Sequence, residues 1–301
     1  MTLARAIPAL ILAALASAPA AAAPATTTVE SESEGGFAIG PSARFLFAPL
    51  QGDCYADRDL SFGTSMDLRS DLGLSGTSPL VELGVVAGWW DAWRPGQQFT
   101  YGFEVRGMWG DWTGRSRLGA PVAFDGDSFP AGDSVKSTFS VDLTRIHATG
   151  SWRLGTDDRN LRLGLFIGTT ILGASLEMDG ASGAHERAGL RMAPIGGGIR
   201  VSASPCPWFD AGLEAAYYGA SIHIEDRDWD VYKEVSELVD LSARVSFRPW
   251  KYAAVEVGYR FLDAYLFQRH EDEDYWLTGD RHETELSWRM QGWFVGGTIR
   301  F

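Results

Sequence analysis

The stretch SWRMQGWFVGGTIRF, residues 287–301, decides the fold. Counted back from its end, Phe301, Ile299, Gly297, Val295 and Trp293 fall on one side of an extended strand. Arg300, Thr298, Gly296, Phe294 and Gly292 fall on the other. Strand side chains alternate with period two, so the pattern reads as a strand with one apolar face and one small or polar face.

Nine further segments upstream read the same way: Phe37 to Ala48, Leu80 to Trp90, Phe99 to Trp109, Phe139 to Leu154, Asn160 to Leu176, Leu190 to Ala203, Phe209 to Ile222, Glu234 to Phe247, and Tyr252 to Leu266. In the second, Val81, Leu83, Val85 and Ala87 oppose Glu82, Gly84 and Gly88. In the ninth, Val255, Val257, Tyr259 and Phe261 oppose Glu256, Gly258 and Arg260. In the fourth, Ile146, Ala148, Trp152 and Leu154 alternate with Arg145, His147, Thr149 and Arg153. There the phase slips near Thr144, which predicts a β-bulge.

A soluble β-sandwich also alternates, but three features point to a transmembrane barrel. Connections alternate in length. Trp93–Gln98, Gly155–Arg159, Ser204–Trp208 and Arg248–Lys251 are short; Gln51–Pro79, Gly110–Thr138, Glu177–Gly189, Glu225–Lys233 and Phe267–Glu285 are mostly longer. Outer-membrane barrels have short periplasmic turns and longer external loops. Aromatic residues gather near the connections: Trp93, Trp152, Trp208, Trp250 and Phe301 beside the short ones, and Trp109, Trp112, Tyr217, Tyr218, Tyr265 and Trp288 towards the long ones. Two such girdles suit two membrane interfaces. Charges, finally, keep to the polar face.

That face predicts a lumen network of Arg44, Glu82, Glu104, Arg106, Arg162, Arg200, Asp210, Glu214, Asp240, Arg244, Glu256 and Arg260. Facing lipid, each charge would cost a few kcal/mol. Facing each other inside a narrow barrel, the two signs neutralise and leave little open space. The expected fold is therefore all-β: one antiparallel transmembrane barrel over 37–301, of about ten strands and between eight and twelve.

The chain has 301 residues with 35 Gly and 12 Trp, and a formal charge of −13. An acidic balance does not suit nucleic acid, whose phosphates call for basic surface. Residues 1–25 read as a signal peptide, with Arg5 followed by the short apolar run Ala6–Ala16. Residues 26–36 read as a flexible lead-in. Cys54 and Cys206 fall at opposite ends of the expected barrel, too far apart for the roughly 7 Å a disulfide allows.

The ending on Phe301 resembles the closing strand of bacterial outer-membrane barrels, whose terminal aromatic serves the barrel-assembly machinery as a signal. With Asp71-Leu72-Gly73-Leu74 and Phe129-Pro130-Ala131-Gly132 in the first two long loops, the chain resembles a group of bacterial outer-membrane barrel proteins of unassigned activity. The likeness implies an outer-membrane location, with lipid and lipopolysaccharide as surroundings, and no activity.

Ten strands with long outer loops also resemble the omptin proteases, which carry an Asp–His dyad and an Asp–Asp pair at the rim. Here His223 lies near Glu225 and Asp226, and Asp125 and Asp127 form an Asp-x-Asp. The position two before His223, an aspartate in omptins, is Ser221. Carboxylate runs around Glu271–Asp274 and Glu225–Asp230 offer oxygens suited to divalent cations. No zinc-like spacing appears, and no cofactor is expected. The sequence thus predicts a structural or surface-interacting barrel, with a narrow channel and a rim protease as alternatives.

Overall fold

The computed structural model describes residues 36–58, 63–94, 97–155, 160–206, 208–225, 231–250, 253–271 and 281–299. In chain order the strands are β1 (Gly36–Arg58), β2 (Met66–Asp67), β3 (Thr77–Arg94), β4 (Gln97–Arg117), β5 (Val122–Phe124), β6 (Asp127–Phe129) and β7 (Ser134–Gly155). They continue with β8 (Asn160–Gly180), β9 (His185–Met192), β10 (Ile195–Cys206), β11 (Phe209–Glu225), β12 (Val231–Trp250), β13 (Ala253–Glu271) and β14 (Arg281–Ile299). Residues 1–35 and Phe301, which hold the expected leader and terminal signal, lie outside the described residues.

β9 and β10 are one strand interrupted at Pro194. Leu172 pairs with Met192 and Thr169 with Ile195, in one unbroken register on β8. Proline has no N–H to give the ladder. Counted this way, ten long antiparallel strands pair in a ring: β1–β3–β4–β7–β8–β9/β10–β11–β12–β13–β14, returning to β1. A ring leaves no backbone edge facing lipid, which hydrocarbon demands.

Each of the ten exposes large apolar side chains in its half nearer the short turns. Ile167 is 65% exposed, Ile195 68% and Trp293 60%. Water-soluble proteins rarely expose apolar patches beyond a few hundred Å², so a belt carried all round the ring is a lipid-facing surface. On β1 it runs from Phe37 to Phe47. Ten steps of about 3.4 Å each, tilted near 40°, give a height of about 25 Å, the thickness expected of an outer-membrane apolar band.

Beyond the belt the strands continue, and the pattern inverts. On β14, Trp293, Val295 and Ile299 face out and are exposed. Higher on the same outward face come Gln291, Arg289, Ser287 and Glu285, while Met290, Trp288 and Leu286 face in and are buried. On β7, Val135, Phe139, Val141 and Leu143 face inward and are buried, and Lys136, Ser140 and Asp142 alternate outward. The barrel therefore has two storeys. The membrane storey is apolar outside and charged within. The outer storey is apolar within and polar outside, like a soluble protein.

The inversion corrects two expectations. β7 pairs with β4 from Gln97↔Leu154 to Arg117↔Ser134 and with β8 throughout without a register shift, so there is no bulge near Thr144. The apparent slip marks the strand leaving the membrane. Trp112, Tyr218 and Trp288 do not join an outer girdle; they are 2%, 0% and 2% exposed inside the ring. Trp109 and Tyr217 do face outward there, and Trp152 and Trp208 do so near the short turns. The strands also run further than expected, which shortens the Glu177–Gly189 connection to the turn between β8 and β9.

The first long connection closes the outer storey. Asp67 Oδ1 accepts from the Arg69 N–H at 2.9 Å and the Ser70 N–H at 2.5 Å. The turn carries Leu68, Leu72 and Leu74 into the interior, all fully buried. Gly73 has φ +70, and a Cβ there would lie 2.6 Å from the Arg115 carbonyl oxygen on β4, so only glycine fits. In the second connection, Phe124 and Phe129 are buried on the β5–β6 hairpin. Asp133 Oδ2 accepts from the Ser182 hydroxyl at 2.6 Å, tying it to the β8–β9 turn. The Asp71–Leu74 and Phe129–Gly132 segments are thus parts of the barrel's own closure.

Candidate functional site: the filled lumen

The charges of the membrane storey form one connected network. Its centre is Glu82 on β3, 4% exposed. Glu82 Oε1 lies 2.9 Å from Arg44 Nη1 and 3.6 Å from Arg106 Nη1, and Glu82 Oε2 lies 2.5 Å from Arg260 Nη1. Arg260 reaches Asp240 with Nε and Nη2, both at 3.0 Å, a bidentate fork. Arg145 also pairs with Asp240. Arg44 continues to Glu256, which Arg244 meets at 3.1 Å. Arg106 pairs with Glu104, and Arg200 joins Glu104 at 3.2 Å to Glu214 at 2.7 Å.

Ten of the twelve charges proposed from sequence therefore meet in this chain of contacts. The other two lie nearer the short turns. Asp210 accepts from the Ser204 hydroxyl at 2.9 Å, with Arg248 at 3.8 Å. Arg162 stands on β8 opposite Ser202 of β10.

Two inward residues of the fourth segment, not counted in that set, prove central. Arg145 is 2% exposed. His147 Nε2 lies 2.7 Å from the Tyr218 hydroxyl, and its ring stacks on Phe166 at 4.9 Å. Arg145 sits where the pattern inverts, with Leu143 next inward on one side, so period alone did not mark it as a network member. Lumen glycines seat the rings: a Cβ on Gly198 would fall 2.5 Å from Phe166 Cζ.

Exposure falls along the lumen. The side chains of Arg244 and Arg200, towards the short turns, are 28% and 25% exposed, while Arg260 and Asp240 are 5% and 3%. Directly above lies an apolar layer that includes Leu46, Leu80, Met108, Leu238, Leu262 and Met290, all nearly inaccessible. Water thus reaches the lower edge of the network and stops there.

Of the residues weighed for a rim protease, the Glu225 side chain and Asp226 lie outside the described residues, and the described ones stand apart. His223 is exposed on β11 opposite Lys233. Asp125 and Asp127 lie on the β5–β6 hairpin, and Asp125 N–H donates to the Ala56 carbonyl of β1, several strands round the ring. Asp125 instead approaches His282, Oδ1 to Nδ1 at 3.8 Å, and His282 Nε2 lies 3.3 Å from Thr284 Oγ1. That order mimics nucleophile, base and orienting acid. Thr284, however, is fully buried, so no substrate carbonyl reaches its hydroxyl.

The acidic runs proposed for cations fall largely on 226–230 and 272–280, outside the described residues. Among the described residues, Glu177, Asp179 and His185 bring potential ligand atoms within 4.8 Å of one another on the outward surface. His185 Nδ1 is already 2.6 Å from Asp179 Oδ1, and Lys136 and Arg187 stand across from the two acids. Cys54 and Cys206 are free thiols at opposite ends of the ring.

No family model matches the chain, and no curated protein matches it. Among solved structures it is similar to the outer membrane protease OmpT from Escherichia coli, at 9% identity over 87% of this chain and 97% of that one, with a TM-score of 0.40. It is also similar to Ail, the attachment invasion locus protein of Yersinia pestis, at 11% identity over 89% and 99% of the two chains, TM-score 0.31. The Pseudomonas putida toluene transporter TodX aligns at 10% identity over 95% and 93%, TM-score 0.33. All three are barrels of bacterial outer membranes with different activities in their names. The fold of this chain rests on its own strand ring and apolar belt.

Proposed function

We propose that this is a bacterial outer-membrane barrel whose membrane storey is an anchor and whose outer storey is a rigid surface-interaction platform. The observation that carries the reading is the filling of the interior at both levels. Paired charges occupy the lumen at membrane depth, and an apolar core with two inserted loops lies above them. A solute path would have to break both. Short turns then face the periplasm and long loops the exterior, the usual arrangement of such barrels. Lipid meets the belt, and no catalytic step is assigned. The test is steady conductance in a planar bilayer. The expected result is a closed baseline; stable open-channel current from the purified chain would replace this reading with the channel.

A further inference from the structure

The strand β9 is held along one edge. Below it, β10 pairs with β8 on one side and with β11 on the other, up to Ile195↔Gly219. Higher up, β9 pairs with β8 alone among the described residues, from Leu172↔Met192 to Asp179↔His185, while β11 continues along β12. β9 thus parts from β11. Its inward side chains Ala188, Leu190 and Met192 are buried, on the side where β9 approaches β13 and β14.

The tip of the β8–β9 hairpin carries Glu177, Asp179 and His185, and the backbone ladder decides that they meet. The Gly180 N–H donates to the Ala184 carbonyl at 2.8 Å, which makes that pair a hydrogen-bonded one and the adjacent pair, Asp179↔His185, a non-hydrogen-bonded one. Non-hydrogen-bonded pairs bring opposing side chains closest in an antiparallel ladder. Glu177, two residues before Asp179, shares its face. One imidazole and two carboxylates therefore converge, with ligand atoms all within 4.8 Å of one another.

The connecting turn is tied down from several sides. The Ala181 N–H donates to the Ser134 carbonyl at 3.0 Å, and the Gly183 N–H to the Gly180 carbonyl at 3.0 Å. Ser182 reaches Asp133 through its N–H at 3.2 Å and its hydroxyl at 2.6 Å. The three side chains thus stand on fixed backbone. Those of His185 and Asp179 are 60% and 44% exposed, so an ion can enter from solvent and keep water on its open side. Lys136 and Arg187 stand across from the acids, but among the described residues neither forms an ion pair with them.

We propose that Glu177, Asp179 and His185 bind a divalent transition-metal ion, and that the ion clamps the tip of β9 to β8. An imidazole nitrogen beside carboxylate oxygens suits Zn²⁺ and its first-row neighbours, whereas Ca²⁺ takes oxygen ligands. Donors lie about 2.1 Å from zinc, and so about 3.4 Å from each other at the tetrahedral angle. Small side-chain rotations bring this set to that spacing. The ion replaces the hydrogen bond between His185 Nδ1 and Asp179 Oδ1, and water completes its shell. Two ligands come from β8 and one from β9, so the bound ion cross-links the strands where β9 has no second neighbour. The site lies on the outer surface, and its occupancy is tested separately from conductance through the lumen.

The experiment uses the full chain, free of any affinity tag, in phosphatidylcholine nanodiscs. Calorimetric titration should show Zn²⁺ bound at least tenfold tighter than Ca²⁺. His185→Ala and, separately, Asp179→Asn should each weaken Zn²⁺ binding at least tenfold, while His223→Ala on β11 leaves it unchanged. Zn²⁺ should slow hydrogen exchange of the β9 amides in wild type and not in His185→Ala. Heat-modifiable gel mobility reports that each variant is folded. The site is overturned if folded wild type takes up no Zn²⁺, prefers Ca²⁺, or binds Zn²⁺ as tightly without His185 or Asp179. Zn²⁺ binding that leaves β9 exchange unchanged overturns the clamp.

Discussion

Asp240 is where two arginines meet, one of them 2% exposed. Removing this carboxylate strands a buried cation, whereas removing Glu214 leaves Arg200 with Glu104 and partial access to water. Asp240→Ala should therefore lower stability by about 3–5 kcal/mol, and Glu214→Ala by clearly less. Thermal unfolding in detergent, read by gel mobility, separates them; equal losses would show that access to water is not what grades the network. Asp67 offers a residue-scale pH test outside the membrane storey. Backbone N–H groups of Ser70, then Arg69, hold its carboxyl below the usual aspartate value, opposed by slight burial. A depressed folded pKa gives stability that is fully present above the unfolded value, about 4, and is lost as pH falls through the folded one. Protease sensitivity of the first long loop should rise over that acid range, and Asp67→Asn should flatten the dependence.

Among the elements, β14 carries both storeys on one uninterrupted strand, so identical substitutions at two heights test the inversion. Val295→Arg places a charge against lipid and should cost about 2–4 kcal/mol. Ser287→Arg on the same face above the belt should fall within about 0.5 kcal/mol of wild type. Folding yield into vesicles checks both, and equal effects would mean the belt ends elsewhere. β9 shows the limit of reading an element by its period. Arg187, Gly189 and Arg191 against Ala188, Leu190 and Met192 make a clear strand, but the period does not say which strand it joins. Pairing is a property of two edges, and local alternation describes only one.

Across the whole molecule, the tryptophans report the architecture. Single-tryptophan variants retaining Trp109, Trp152 or Trp208 should be quenched by brominated lipid, because these rings face out at 46%, 45% and 54% exposure. Variants retaining Trp112 or Trp288 should be protected from both brominated lipid and aqueous acrylamide. Lipid quenching of Trp288 would return it to the girdle and remove the apolar outer core.

The alternation from Phe37 to Ile299 determined the strand ring, the lipid belt and the facing of most lumen charges. Hydrocarbon permits one arrangement of charged and apolar faces on a spanning strand, so the sequence has to write it plainly. The same pattern could not say where lipid stops. Above the belt, water outside and a core inside reward the opposite polarity on the same two faces. Reading one rule through that change turned Trp112, Tyr218 and Trp288 outward and placed a bulge at Thr144. Tertiary structure alone settled the rest: that Leu72 and Phe129 fill the outer storey, that Arg145 meets Asp240, and that β9 parts from β11. Each depends on residues brought together from distant strands and loops, and no local period carries that information.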